Sequence, residues 1–267
     1  MTNSVPMNPR ETVLITGASS GIGLELAKCF AADGSRLVLV ARGQEALEKL
    51  AGELRAKNKI ETIILPADLS LAEAPKQVFD KLAAQNVAVD VLVNNAGFGL
   101  HAPFLELALD RQLEIIKVNV NALVALTGLF LPEMVRRRAG GILNVGSVAG
   151  FVPGPGLAIY YATKAFVLSF SEALAEELDG TGVSITDLCP GPTETNFFRV
   201  ARGDKVRRFQ SKKMSAEDVA RIGHRDFRRK KVISVPGLQN KALIILARFS
   251  PRKAVRRLVN KYNKISL

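Results

Sequence analysis

Short runs of continuous apolar residues punctuate the first 190 positions: TVLIT at 12–16, RLVLV at 36–40, TIIL at 62–65, VDVLVN at 89–94, GILNVG at 141–146 and VSITDLC at 183–189. They are partly β-branched and lack the apolar–polar alternation of a strand with one wet face. They therefore predict strands buried on both faces of a parallel sheet. Between them, in GIGLELAKCFAADG, GQEALEKLAGELRAKN and DRQLEIIKVNVNALVALTGLFLPEMVRRR, apolar residues recur at three and four, the spacing of a helix with one buried face. Six alternations of strand and helix predict an α/β fold: a doubly wound parallel sheet (Rossmann fold) of about seven strands, with helices on both faces.

After residue 195 the pattern loosens. Residues 196–213 read as a basic flap, Ser215 as the N-cap of the helix SAEDVARIGHRDFRRKK, VISV as one more strand, and 238–267 as two closing helices. In the last of these, Ser250 is expected to cap, Pro251 to stand at the first helical position, and Val255, Leu258, Val259 and Tyr262 to form one apolar stripe. No internal repeat or low-complexity linker divides the chain, so one domain over 1–267 is expected.

Charge changes this picture only at the tail. Residues 1–198 carry 16 Lys/Arg against 21 Asp/Glu, a balance of −5, whereas 199–267 carry 21 against 4, a balance of +17. The last helix places Arg252, Lys253, Arg256, Arg257, Lys261 and Lys264 around its apolar stripe. That stripe packs on its own domain or on a neighbouring subunit, or else the basic helices of 238–267 make a peripheral contact with an anionic membrane surface. Nucleic acid is not expected as a partner, because the basic segment carries no recognised motif or stacking platform. Cys29 and Cys189 lie far apart in apolar runs, which suggests neither a disulfide framework nor a metal site and points to a reducing compartment. The polar N-terminus lacks a signal-peptide core and no apolar run approaches the ~20 residues of a membrane span, so a soluble, cytoplasmic protein is expected.

The candidate chemistry begins where the first strand ends, in TGASSGIG at 16–23. Gly17, Gly21 and Gly23 let the chain turn sharply and let backbone N–H groups and a helix N-terminus approach an anion such as a pyrophosphate. The spacing G-x-x-x-G-x-G departs from the common dinucleotide fingerprint, but its place at the first strand-to-helix turn supports the same reading. Where an acidic residue would bond the adenosine ribose, the second strand ends in Ala41-Arg42, and a guanidinium there favours the 2′-phosphate of NADP.

With TGASSGIG, NNAG at 94–97, Asn119, Ser147 and Tyr160-x-x-x-Lys164 in this order, the chain resembles the short-chain dehydrogenase/reductase family over about residues 10–200. The resemblance implies that NADP is held by Gly17, Ser19, Ser20, Gly21, Ile22 and Gly23, by Asp68 and Leu69 near the adenine, and by Asn95, Ala96 and Gly97. It also implies Pro190, Gly191, Thr193 and Thr195 against the nicotinamide. Catalysis would run through Asn119, Ser147, Tyr160 and Lys164. In that scheme Tyr160 passes the proton with a pKa drawn down by the Lys164 ammonium, Lys164 also holds the nicotinamide ribose, Ser147 bonds the substrate carbonyl, and Asn119 keeps a water in the proton path.

Helical geometry alone leaves Tyr160 and Tyr161 both near Lys164. Tyr160 leads through Lys164, Val167, Ser171 and Leu174, whereas the line from Tyr161 through Ala165 and Leu168 to Glu172 and Glu176 is the more exposed or subunit-facing one, and the family spacing agrees with Tyr160 as proton donor and Tyr161 as a packing neighbour. His101 and His224 accompany no acid in a way that supports an acyl-transfer triad, and His101 is expected at the pocket mouth. Phe98, Leu100, Phe104, Phe151, Phe197 and Phe198 suggest a small hydrophobic carbonyl or hydroxyl substrate, with Pro153 and Pro155 stiffening one wall. The implied activity is hydride transfer between NADP and a ketone, aldehyde or alcohol, in a homodimer or homotetramer. A non-catalytic NADP-binding scaffold and an epimerase or isomerase on the same fold are the alternatives.

Overall fold

The computed structural model describes residues 11–195 and 213–263. Nearly all of the expected flap, with Phe197 and Phe198, and Lys264 in the tail lie outside the described residues.

All six apolar runs form strands: β1 (Thr12–Thr16), β2 (Arg36–Ala41), β3 (Thr62–Pro66), β4 (Val91–Asn94), β5 (Gly140–Val145) and β6 (Val183–Leu188). They join β9 (Ile233–Ser234) in a seven-stranded, all-parallel sheet of order β3-β2-β1-β4-β5-β6-β9. Alternate residues of each strand face opposite sides, and in the central strands β1 and β4 both sides are dry. Val13 and Ile15 of β1 pack with Leu26 and Phe30 of α1 (Gly21–Ala32) and Leu47 and Leu54 of α2 (Gln44–Asn58). Leu14 faces the other way, with Val78 and Leu82 of α3 (Ala74–Ala84) and Leu126 and Phe130 of α5 (Ala122–Arg137).

Reversal of the strand order around β1 and β4 opens a crevice at their carboxyl ends, the place where such sheets bind ligands. Three further helices shape that end: α4 (Leu109–Ile116), α6 (Ala158–Glu177) and α7 (Ala216–Arg228). α4 and α5 run on through a π-turn at Lys117–Asn121 as one 29-residue helix, long and apolar enough by length and composition to cross a membrane. That corrects the expectation that no segment approaches this length. Its Ala122, Leu126, Phe130 and Met134 are buried in the cluster that holds Val78 and Leu82 of α3.

Ser215 caps α7 as expected, accepting from the Asp218 N–H at 3.0 Å. Three local features differ from the sequence pattern. β7 (Thr193–Glu194) and β8 (Met214–Ser215) form a small parallel ladder too short to carry a period. The chain closes with α8 (Leu238–Phe249) and α9 (Arg252–Asn263), but Ser250 does not cap α9: its hydroxyl donates back to Leu246 O at 2.7 Å. The Pro251 carbonyl takes the first bonds of α9, from the Ala254 and Val255 N–H groups, so Pro251 stands at the cap position. Val255 and Val259 turn partly inward with buried Asn263, whereas Leu258 is 66% exposed, so the expected stripe is split.

Phe30 ties α1 to α7. It is fully buried, edge-on to the His224 ring at 4.8 Å and the Phe227 ring at 6.0 Å, and the Arg228 guanidinium lies over it at 5.0 Å. Arg228 in turn bonds Glu11 and Asp33, and Asp33 is bonded by His224. Phe30→Ala should lower the unfolding free energy by about 3–5 kcal/mol, read from the urea midpoint at constant slope; a loss below ~1 kcal/mol would show that α1 is held elsewhere.

Candidate active site

The glycine loop is built by exclusion. Gly17 has φ 63° and Gly21 φ 56°, a region side chains avoid, and a Cβ on Gly23 would stand 2.4 Å from Gly17 O. Asn95 locks the loop from the neighbouring strand. Its Nδ2 donates to Thr16 O at 2.8 Å and Gly17 O at 3.2 Å, while the Asn95 and Ala96 N–H groups both donate to Thr16 Oγ1 at 3.0 Å. At the start of α1, Ser20 makes no side-chain cap, which leaves the first-turn N–H groups to an outside acceptor. A cavity of about 470 Å³ opens here, lined by Ser19, Ser20, Gly21, Glu194 and Thr195. The bare glycine cradle, uncapped helix and adjoining space fit a dinucleotide pyrophosphate.

Further round the crevice, exposed Arg42 follows β2 near Asp68. The Ser70 N–H, at 3.0 Å from Asp68 Oδ1, is the main influence that holds this carboxyl below its usual range, and the Arg42 charge adds to it. Leu69 is buried beside them. On the opposite lip, Pro190 O accepts from Val148 N at 3.0 Å and from Ser147 Oγ at 3.4 Å, and Thr193 Oγ1 donates to Gly191 O at 2.9 Å. Thr195 reaches across to the glycine loop, where a Cβ on Gly21 would lie 3.1 Å from its methyl carbon.

Asn119 sits in the π-turn, 2% exposed. Its Oδ1 accepts from Phe98 N, and its Nδ2 donates to Phe98 O and to Thr163 Oγ1, each at 3.0 Å. The side chain therefore clamps the turn after Gly97 to α6. The inserted residue of a π-turn is what aims it there.

Ser147, two residues past β5, accepts from Ala149 N at 3.1 Å and its hydroxyl acts on the Tyr160 phenol, favouring the ionised form. Tyr160 and Lys164 lie one turn apart on α6, and the inward line continues through Val167 and Ser171, both fully buried. Lys164 is 6% exposed, donates from Nζ to Val145 O at 2.6 Å, and stands 5.9 Å from the centre of the Tyr160 ring. Burial pushes the Lys164 ammonium down to about 8 and the Tyr160 phenol up to about 12. The phenol pKa expected to be drawn down by Lys164 is thus raised instead, because desolvation outweighs the bond from Ser147 and the lysine is turned to a backbone carbonyl.

Asp187, in β6, is the site residue that the sequence pattern passed over. It is fully buried, accepts from Gly146 N at 2.8 Å and Cys189 Sγ at 3.2 Å, and burial lifts its carboxyl to about 6. A charge inside the apolar run VSITDLC was the available signal, since an unpaired carboxylate almost never goes inside. Its field holds the Lys164 ammonium up against desolvation.

On the substrate side Leu100 is buried, Phe98 and Phe151 are half-buried, and Phe104 is 53% exposed. His101 is not an open loop residue: it is 7% exposed, with Nε2 2.7 Å from the Asn263 carbonyl oxygen of α9. Tyr161 is turned away from Lys164, its ring against Gly154 and its hydroxyl accepting from Asn263 Nδ2 at 3.4 Å. The pairing of Tyr160 with Lys164, and of Tyr161 with the tail, separates the two tyrosines.

A family model described as short chain dehydrogenase matches residues 11–205. The chain belongs to the short-chain dehydrogenase/reductase family and is an oxidoreductase of that family. Sulfoacetaldehyde reductase 2 of Chromohalobacter salexigens is 40% identical over 220 residues, 79% of this chain and 86% of the relative. A short-chain dehydrogenase from Sphingobium yanoikuyae in complex with NADPH superposes with a TM-score of 0.80 at 33% identity, covering 91% of this chain and 97% of the other. Another from Burkholderia phymatum, in complex with NAD, gives 0.82 at 27%, covering 91% and 94%. A nicotinamide cofactor follows from these likenesses.

The phenol shift has a sign that can be read directly. A tyrosine whose folded pKa lies above its ordinary 10.0 favours the folded state while neutral, and that contribution is lost as pH rises through about 12. In ultraviolet titration of the ligand-free protein, the difference between wild type and Tyr160→Phe should show phenolate absorbance only above about pH 11. A phenolate signal near pH 8 would contradict the assignment.

Proposed function

We propose that this chain is an NADP-dependent reductase of hydrophobic ketones or aldehydes, or the corresponding alcohol dehydrogenase in reverse, with residues 1–267 acting as one catalytic domain. The observation that carries the reading is the meeting of Ser147, Tyr160 and Lys164 at the carboxyl end of β5, beside the glycine cradle. When bound, the nicotinamide supplies or accepts the hydride.

Tyr160 donates its phenolic proton to the carbonyl oxygen in reduction and takes it back in oxidation. Ser147, whose hydroxyl acts on that phenol, would bond the same oxygen and fix its place. Lys164, kept cationic against burial with the help of Asp187, is the residue that would hold the ribose hydroxyls of the bound cofactor, and its charge would favour the phenolate. Asn119 secures the turn that carries Phe98 and Leu100, so it shapes the pocket as well as the proton path. Arg42 supports NADP over NAD, because no acidic side chain occupies the end of β2.

The apolar lining at Leu100, Phe98 and Phe151 favours a hydrophobic substrate, in contrast to the small sulfonate named for the relative above. Exposed Leu109, Leu113 and Phe166 along α4 and α6 support pairing of subunits through these helices.

Tyr160→Phe should reduce turnover of a hydrophobic carbonyl by about 10²–10⁴-fold while NADPH still binds, and Tyr161→Phe should keep most of it. NADPH binding without turnover by the wild type across aliphatic, aromatic and steroidal carbonyls would favour a scaffold. Arg42→Ala should cut the NADPH-over-NADH ratio of kcat/KM by about tenfold or more; an unchanged ratio would place the 2′-phosphate elsewhere.

A further inference from the structure

We infer that the outward face of α8 and α9 docks on an anionic phospholipid bilayer. α8 wears its apolar stripe on the outside. Leu238, Ala242, Ile245 and Phe249 follow at i, i+4, i+7 and i+11 on one face, and that face is in solvent: Leu238 is 83%, Ile245 58% and Phe249 83% exposed, with Leu246 beside them at 64%. The side toward the protein is Asn240, Ile244 and Ala247, all half-buried. A helix of a water-soluble surface has the reverse arrangement.

Charge selects the occupant. Residues 238–263 hold seven Lys/Arg and no Asp/Glu, and all seven basic residues are exposed. Lys241 and Arg248 border the stripe of α8 on one flank, and the other five continue along α9. A second copy of this face would bring two such clusters together with no carboxylate in the segment between them. A nucleic acid would take the charge and leave the leucine, isoleucine and phenylalanine in water. An anionic lipid surface accepts both, the apolar side chains at the acyl boundary and the cations among the headgroups.

The hairpin is also held in place for this. Asn263, 2% exposed, donates from Nδ2 to Pro155 O at 3.0 Å, and its carbonyl meets His101 Nε2 at 2.7 Å. The docking face is therefore fixed to the loops beside the pocket, and its existence does not depend on the reaction proposed above.

Full-length protein should co-sediment with phosphatidylglycerol/phosphatidylcholine vesicles, less so at high salt, and not with phosphatidylcholine vesicles alone. The pair Ile245→Glu and Phe249→Glu, and separately the set Arg252→Gln, Lys253→Gln, Arg256→Gln and Arg257→Gln, should each weaken that binding by at least about tenfold with the melting temperature kept. Absence of vesicle binding by the wild type, equal binding to neutral vesicles, or full binding by both variants would overturn the inference. So would duplex DNA binding in place of vesicle binding, or a wild type that binds no vesicles but self-associates in sedimentation velocity until the glutamates are introduced.

Discussion

The site depends on a latch between two parallel strands that must send their chains apart. β1 and β4 lie side by side, yet the chain leaves β1 for one face of the sheet and β4 for the other. The Thr16 hydroxyl and carbonyl and the Asn95 amide bridge that divide, and the closeness they enforce is why positions 17 and 23 carry no side chain. A Cβ at either would push the strands apart or fill the cradle. Dinucleotide geometry and sheet geometry are the same constraint seen from two sides.

Around that latch the protein buries polar and charged groups. Lys164, Asp187, Asn119 and Ser147 are all under one-tenth exposed, and desolvation moves the first two from their ordinary ranges in opposite directions. Each is matched by neighbours: Lys164 by Val145 O, Asp187 by Gly146 N and Cys189, Asn119 by both backbone groups of Phe98. The lysine and aspartate sit in one low-dielectric region, so each lessens the other's penalty. A phenol pushed up to about 12 then has much to gain from a nearby cation.

The strands were readable because a sheet covered on both faces needs continuous apolar runs, and β1 runs over the same five residues as TVLIT. The glycine loop was legible from its place after the first strand, and Ser147 and the Tyr160–Lys164 step came from the family resemblance, with Tyr160 and Lys164 one turn apart on α6. What escaped is non-local. Nothing near Asn263 in sequence says that it bonds a proline 108 residues earlier and meets His101, and the π-turn that aims Asn119 leaves no mark on an otherwise helical period. The outward stripe of α8 escaped for a different reason. Its periodicity is that of any amphipathic helix, and only the fold shows which face is wet.

The central claim is that the crevice between β1 and β4 brings a hydride donor to a carbonyl held by Tyr160. Reduction of a hydrophobic ketone with NADPH deuterated at C4 of the nicotinamide, followed by mass spectrometry of the product, tests it most directly. The account predicts one deuterium on the carbinol carbon of the alcohol when the label is on the transferred face, and none when it is on the other. Alcohol formed without deuterium from either label would contradict it.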